Sequence, residues 1–212
     1  MSYYYWNSEF PKEDCEKIIK EFDTSTLHDA GVGNYLGAEA LYPEQIENFK
    51  KHGNWDHEEN KPKNLLGPDH STRRTSLNWL PKDHPYNNIL LEFVLKANEN
   101  VYHYDLSKFT PCQFAQYNVG DFYGYHQDSG HQYAEYEKET RKLSMTVQLS
   151  DPKDYDGGVF QFYNGDNDPE VPPIIEQGSI IVFDSRMWHR VTPVTNGVRY
   201  SLVSWILGPH FR

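Results

Sequence analysis

The chain has 212 residues, a formal net charge of −11 and a sequence pI near 5.3. This length predicts one domain with a real hydrophobic core, and the acidic balance argues against a surface that binds nucleic-acid phosphates. No apolar stretch approaches the roughly 18 residues of a membrane helix, and the first residues lack a secretory signal pattern. The two cysteines, Cys15 and Cys112, lie far apart and favour a reducing setting. We therefore expect a cytoplasmic protein with no nucleic-acid partner and no membrane partner.

The first half of the chain predicts helices and loops around a few strands. Tyr3–Trp6 fits a short aromatic strand, and Pro11–Phe22 repeats apolar residues at helical spacing. Arg73–Leu80 alternates as a strand, and a helix follows from Asp83 to about Tyr102. Asn54–Ser71 is polar, contains prolines and lacks a period. It is a long loop and a candidate lid over a substrate.

The second half predicts a run of strands separated by glycine turns. Strands at this spacing are typical of a β-sandwich or barrel. We expect one domain over residues 1–212, with a helical and loop part to about residue 110 and a mainly β part from about residue 111. The polar segment Ser129–Thr140 is a second candidate for a loop at the mouth of the site. The predicted strands are Arg141–Leu149, Val159–Tyr163, Ser179–Phe183 and Val198–Leu207, with Thr195–Gly197 as a hairpin turn before the last strand.

Candidate metal ligands lie at the end of the stretch Gln113–Asp128. Because residues two apart in an extended strand point to the same face, the side chains of His126 and Asp128 can reach one metal ion. Such a pair alone is more often a solvated surface feature. His189, just beyond a later strand, offers a second imidazole, and two histidines with one carboxylate form the facial triad of non-haem Fe(II) oxygenases. Arg199, ten residues further on, can grip a carboxylate with two hydrogen bonds.

Two other histidines compete for the metal role. His103 and Asp105 form a second pair of the same spacing, but it follows a predicted helix and no glycine-punctuated strand leads into it. We therefore favour His126 and Asp128. His131 lies close behind Asp128, but a fourth protein ligand would close positions that iron chemistry needs open.

The arrangement resembles the 2-oxoglutarate/Fe(II) dioxygenases, most closely their prolyl 4-hydroxylase-like branch, over roughly Arg73–Leu207. The resemblance implies a mainly β fold with flanking helices, in which a double-stranded β-helix (jelly roll) forms the core. It also implies that His126, Asp128 and His189 are the ligands of Fe(II).

The same resemblance implies a binding site for 2-oxoglutarate. Arg199 corresponds to the residue that binds the distal carboxylate, although collagen-type members carry lysine there. Tyr117 begins the run Tyr-x-x-Gly-x-x-Tyr-x-x-His-x-Asp and corresponds to a tyrosine that hydrogen-bonds the same carboxylate. Ser201, on the same strand face as Arg199, adds a hydroxyl group.

The implied activity is hydroxylation of a substrate C–H bond with Fe(II), 2-oxoglutarate, O2 and ascorbate, most readily on a prolyl residue of a peptide or protein. Arg73, Arg74 and Arg186 are candidates for holding the peptide chain. A hydroxylase of a free amino acid or other small molecule stays open, as does a non-catalytic β-helix binding domain. Nucleobase demethylation is disfavoured, because Trp205 stands where those enzymes carry a second arginine. The sequence leaves the oligomeric state open.

Overall fold

A computed structural model describes residues 3–22, 27–30, 73–129, 139–165 and 168–211. The predicted lid Asn54–Ser71 lies outside the described residues, and so does most of the second candidate segment, Ser129–Thr140, including His131. Within the described part of the chain, no helix combines the length and apolar character needed to span a bilayer.

Two helices and thirteen strands make up the described chain. The strand predicted at Tyr3–Trp6 and the helix predicted at Pro11–Phe22 are confirmed within one residue. The helices are α1 (Lys12–Phe22) and α2 (Pro85–Ala97), which continues into a π-helical turn (Asn98–Tyr102). The strands are β1 (Tyr3–Trp6), β2 (His28–Ala30), β3 (Arg73–Trp79), β4 (Lys108–Phe109), β5 (Gln113–Tyr117), β6 (Phe122–His126), β7 (Glu139–Gln148), β8 (Tyr155–Gly157), β9 (Phe160–Phe162), β10 (Ile180–Asp184), β11 (His189–Val191), β12 (Val194–Gly197) and β13 (Arg199–Pro209).

The strands form a curled antiparallel sheet in the order β1-β10-β7-β13-β5-β3-β6-β11-β9. We call the strands β1, β10, β7, β13, β5 and β3 the major sheet and the strands β6, β11 and β9 the minor sheet. Strand β3 joins the two, because it pairs with β5 through Ser76–Trp79 and with β6 through Arg73 and Arg74. Side chains of both sheets meet in one interior cluster, so the sheet folds back on itself. The predicted jelly-roll core is therefore confirmed.

Alternation along the strands of the major sheet produces two hydrophobic cores. In β10, Ile180 and Val182 face the helices, whereas Ile181 and Phe183 face the interior between the sheets. The outer core also contains one buried face of each helix, so the helices cover the back of the major sheet. Ile89 of α2 lies off that face and is 44% exposed. The buried side chains of α1 and α2 are Cys15, Ile18, Phe22, Asn87, Leu90, Val94 and Ala97.

The interior face of the major sheet is polar where β7 and β13 lie side by side. On β7 the residues that face the helices are apolar, while Ser144, Thr146 and Gln148 alternate with them and are also buried. On β13, Arg199 and Ser201 share this interior face. Polar groups at such depth need partners, and this part of the interior therefore suits a polar ligand.

The prediction that Thr195–Gly197 is a hairpin turn is wrong. These residues belong to β12, which pairs with β8 in a separate two-stranded sheet. The glycine is needed for another reason: Gly197 has a φ of 69°, and a Cβ atom there would collide with the backbone carbonyl of Asp154. A turn-like composition was thus produced by a close approach between two strands.

Candidate metal centre

Two strand ends of the minor sheet bring the predicted metal ligands together. His126 is the last residue of β6, His189 is the first residue of β11, and the two are direct cross-strand partners. Asp128 follows His126 by two residues and turns back toward both imidazoles. All three side chains are buried, and their ligand atoms lie within 4.8 Å of one another. Among the described residues, this is the cluster of histidine and acidic groups that can hold a metal ion.

Backbone carbonyls set the orientation of both imidazole rings. The Nδ1 atom of His126 lies 2.8 Å from the carbonyl oxygen of Gly124, and that of His189 lies 2.9 Å from the carbonyl oxygen of Met187. Because a carbonyl only accepts, each Nδ1 carries a proton, so in the neutral form of each ring the lone pair lies at Nε2. These Nε2 atoms lie 3.6 and 3.5 Å from the two carboxylate oxygens of Asp128.

The protonation states suit metal binding. Burial and the neighbouring His189 lower the pKa of His126 to about 3, so its imidazole is neutral at neutral pH. Burial alone would raise the pKa of Asp128, but the two imidazoles, the Arg141 guanidinium and the Ser144 hydroxyl outweigh it and leave that pKa below its ordinary value. The neutral imidazole of His126 and the ionised carboxylate of Asp128 are therefore both available to a cation, as metal binding requires.

The donor set fits Fe(II). Ligands in adjacent positions of a six-coordinate ion, with bonds of about 2.1 Å, lie about 3 Å apart, and the present separations are slightly wider. Two nitrogens and one oxygen on one side of an ion leave the opposite side open. The rival pair, His103 and Asp105, has both side chains exposed and does not form such a cluster.

Two serines hold the carboxylate of Asp128 in place. The Ser144 hydroxyl donates to Oδ2 of Asp128 at 2.7 Å, and it therefore accepts from the Ser185 hydroxyl at 2.9 Å, since each hydroxyl has one proton. The backbone N–H groups of Asp128 and Ser129 both donate to the Ser185 carbonyl at 2.9 Å. The sequence did not point to these serines. Their effect is to fix the orientation of the Asp128 carboxylate toward the two imidazoles.

We expect Ser144→Ala to weaken Fe(II) binding by about ten- to a hundredfold, because the carboxylate loses the donor that fixes its orientation. Anaerobic titration calorimetry measures this loss directly. Ser204→Ala is the matched control, since Ser204 is equally buried in the same sheet but donates to the Thr110 carbonyl, away from the metal centre. Equal metal affinity in the two variants would remove Ser144 from the metal centre.

A buried cation lies on the neighbouring face of the major sheet. Arg199 begins β13, is 2% exposed, and is the cross-strand partner of Tyr117. Its guanidinium lies 5.4 Å from the centre of the Tyr117 ring and 3.4 Å from the Ser201 hydroxyl. Within the described ranges, no carboxylate pairs with it. A buried unpaired charge is costly, so this group is suited to bind an anion from outside.

Gly158 makes room for that arginine. A Cβ atom at this glycine would lie 2.8 Å from Cδ of Arg199 and 3.0 Å from a methyl group of Val194. The sequence indicated a turn at Gly157 and Gly158, but it did not indicate this second role. The three residues predicted to bind 2-oxoglutarate, namely Tyr117, Arg199 and Ser201, are thus adjacent.

Two tryptophans, Trp79 and Trp205, form an aromatic wall near the metal centre. The rings of Trp205 and Trp79 lie 5.9 Å apart, and the Arg141 guanidinium lies 4.0 Å from the Trp205 ring. Arg141 also donates to the backbone carbonyl of Asp128, at 3.5 Å. Trp205 is buried, but its neighbour Trp79 is 39% exposed, so the wall reaches the surface.

Comparison with known proteins finds matches to part of this chain. Residues 112–207 match the family model described as the 2OG-Fe(II) oxygenase superfamily. Among curated relatives, a PKHD-type hydroxylase of Synechococcus sp. (strain JA-2-3B'a(2-13)) is 33% identical over 90 residues, which are 42% of this chain and 39% of the relative. A PKHD-type hydroxylase of Synechococcus sp. (strain CC9902) is 40% identical over 91 residues, 42% of this chain and 37% of that relative. The chain spans about two fifths of the length of these relatives.

Solved structures share the fold over nearly the whole chain. A viral collagen prolyl hydroxylase from Paramecium Bursaria Chlorella virus-1, in complex with 2OG, has a TM-score of 0.62 at 17% identity and covers 98% of this chain and 97% of its own. A prolyl-4-hydroxylase from Pseudomonas putida has a TM-score of 0.61 at 18% identity and covers 96% of this chain and 91% of its own. At these identities the likeness concerns the fold.

Proposed function

We propose that the chain, whose residues 112–207 match the 2OG-Fe(II) oxygenase superfamily model, is an Fe(II)- and 2-oxoglutarate-dependent dioxygenase that hydroxylates a prolyl residue in a peptide or protein. The observation that carries the proposal is the convergence of the ligand atoms of His126, Asp128 and His189, together with the buried guanidinium of Arg199, which has no carboxylate partner among the described residues.

The chain's own groups divide the work. Fe(II) with 2-oxoglutarate and O2 supplies the oxidising chemistry: one oxygen atom enters the substrate C–H bond, and 2-oxoglutarate loses CO2 to become succinate. The triad holds the ion on one side and leaves room opposite it. The Arg199 guanidinium, with the hydroxyls of Ser201 and Tyr117, binds the carboxylate of 2-oxoglutarate that is remote from the iron. The closed interior around these groups excludes water.

The aromatic wall supports a prolyl substrate. A pyrrolidine ring is apolar and compact, and the rings of Trp79 and Trp205 offer an apolar surface against which it can pack. The Nε1–H group of Trp205 is buried and has no acceptor among the described residues, so it can donate to a carbonyl of a bound peptide. A structural neighbour from Trichoplax adhaerens (18% identity, TM-score 0.51) is a prolyl hydroxylase in complex with a peptide fragment.

Hydroxylation of a free amino acid or other small molecule is the second candidate, because the described part of the wall alone does not exclude a small substrate. A non-catalytic binding domain is disfavoured, because all three metal ligands are present. The requirement for ascorbate and the cytoplasmic location are proposals that rest on the sequence.

The decisive experiment follows the fate of 2-oxoglutarate and of proline. With Fe(II), ascorbate and O2, we expect the purified protein to form succinate, and we expect mass spectrometry of proline-containing peptides to detect a gain of one oxygen atom. Failure to form succinate under any substrate condition would contradict the oxygenase assignment. A gain of oxygen on a free amino acid, with none on any peptide, would make the second candidate the correct one.

A further inference from the structure

A second arginine is buried in the interior of the described chain. Arg73 begins β3, where that strand passes from the minor sheet to the major sheet, and its side chain is 8% exposed. Burial alternates along the strand, so Arg73 faces inward while the next residue, Arg74, faces solvent. The side chain of Arg74 is 62% exposed and lies 3.6 Å from a carboxylate oxygen of Asp121.

The contacts of Arg73 do not neutralise its charge. One Nη2–H group donates to the side-chain oxygen of Gln113 at 3.2 Å, and the guanidinium lies 4.5 Å from the centre of the Tyr123 ring. The Nε–H group is fully buried and has no hydrogen-bond partner among the described residues. Neither the amide nor the ring carries a charge. A desolvated guanidinium with an unsatisfied donor is costly unless an anion joins it.

Contacts of Arg73 lead both to the metal centre and to the aromatic wall. The Tyr123 ring, on which the guanidinium lies, stacks on the His126 imidazole with centroids 3.4 Å apart and planes within 10°. Its hydrogen-bond acceptor, Gln113, is the cross-strand partner of Trp79. The charge therefore lies between the metal ligand His126 and the aromatic wall.

The 2-oxoglutarate pocket has its own cation and its own neighbours. Arg199 contacts Tyr117 and Ser201 and lies over Gly158. The hydrogen bond and the ring contact of Arg73 are made with Gln113 and Tyr123 instead. We therefore do not expect the anion at Arg73 to be the distal carboxylate of 2-oxoglutarate.

We propose that Arg73 forms a carboxylate-binding subsite for the substrate, so that the protein acts on prolines that lie close to a negative charge. In a peptide this charge is an adjacent acidic side chain or the C-terminal carboxylate, and in a free amino acid it is the α-carboxylate. The guanidinium grips the carboxylate while the aromatic wall holds the ring, which fixes the substrate at two points. This inference rests on the proposed function and narrows its substrate class.

Matched ligands test the subsite without turnover. The protein is loaded with Mn(II) and 2-oxoglutarate, and binding is followed by titration calorimetry. The probes are proline peptides in pairs that differ in one group, Glu or Gln beside the proline, a C-terminal carboxylate or an amide, and free proline or prolinamide. We expect the carboxylate member of at least one pair to bind about tenfold more tightly or better.

Variants then assign this preference to one side chain. Arg73→Gln should bind both members of the pair equally, and Arg73→Lys should keep part of the preference. The control Lys17→Gln, at an exposed position of helix α1, should keep all of it. Circular dichroism and the thermal midpoint confirm that each variant is folded. Wild-type protein that binds both members of every pair equally, or that binds none of them, would overturn the subsite, as would a preference that survives in Arg73→Gln.

Two further measurements separate this inference from the proposed function. Titration of 2-oxoglutarate into Mn(II)-loaded Arg73→Gln should give the wild-type affinity; a loss as large as that in Arg199→Ala would place Arg73 in the 2-oxoglutarate pocket and overturn the inference. Succinate formation is assayed separately in the wild type. If succinate forms but no charge preference is found, the Arg73 subsite is wrong and the oxygenase assignment stands. If a charge preference is found but no succinate forms, the subsite stands and the oxygenase assignment is wrong.

Discussion

His189→Ala is expected to lower the affinity for Fe(II) by more than about a hundredfold and to reduce succinate formation to the background rate. The reason is that one of three ligands is removed from a buried site, where loss of a supporting hydrogen bond alone costs about ten- to a hundredfold. Anaerobic metal titration measures the first effect, and detection of succinate measures the second. Both should fall together.

His103→Asn is the control for this variant. His103 belongs to the other His-x-Asp pair of the sequence, its side chain is exposed, and its φ of 54° is one that asparagine tolerates. We expect this variant to keep the wild-type metal affinity and turnover. If it lost activity while His189→Ala kept it, the metal centre would have to be placed at the helix exit.

Arg199→Ala is expected to weaken 2-oxoglutarate binding by about a hundredfold or more while Fe(II) affinity changes little. Its guanidinium is 2% exposed and has no acidic partner in the described chain, so removing it takes away the one charge that matches the incoming carboxylate. The KM for 2-oxoglutarate should rise steeply, and calorimetry on the Mn(II)-loaded protein gives the affinity without turnover.

Two further variants, Arg199→Lys and Arg74→Ala, serve as comparisons for Arg199→Ala. The lysine keeps the charge but loses the two-point geometry, so its affinity for 2-oxoglutarate should lie between those of the wild type and Arg199→Ala. The exposed Arg74 should be replaceable without effect on either ligand. Equal losses of metal and 2-oxoglutarate in Arg199→Ala would mean that the residue supports the fold of the site instead of contacting the cosubstrate.

Spacing along the sequence was enough to predict the residues whose relative positions are set within one strand or helix. His126 and Asp128 lie two residues apart at a strand end, and a period of two suffices to place them on one side. Helix α1 was predictable for a similar reason, since its apolar residues recur at helical spacing and become its buried face. Arg199 and Ser201 likewise share a face because they are two apart on one strand.

Non-local pairing produced the features that the sequence did not reveal. Ser144 supports Asp128 only because β7 passes beside the loop that carries the carboxylate, and a buried serine on a strand carries no mark of that neighbour. Gly158 is a glycine because the side chain of Arg199 crosses over it. The pairing of β12 with β8 explains Gly197 in the same way. In each case the residue type is set by a chain segment distant in sequence, which periodicity does not detect.

The metal centre is supported by both layers of the jelly roll in a way that bears on stability. Both imidazoles belong to the minor sheet, whose strands β9 and β11 have three residues each, whereas the carboxylate is held by a serine of the ten-residue strand β7 in the major sheet. A bound ion therefore cross-links a short, weakly anchored layer to a long one. Amide hydrogen exchange in β9 and β11 should slow markedly when the ion is added, while exchange in β7 and β13 changes little.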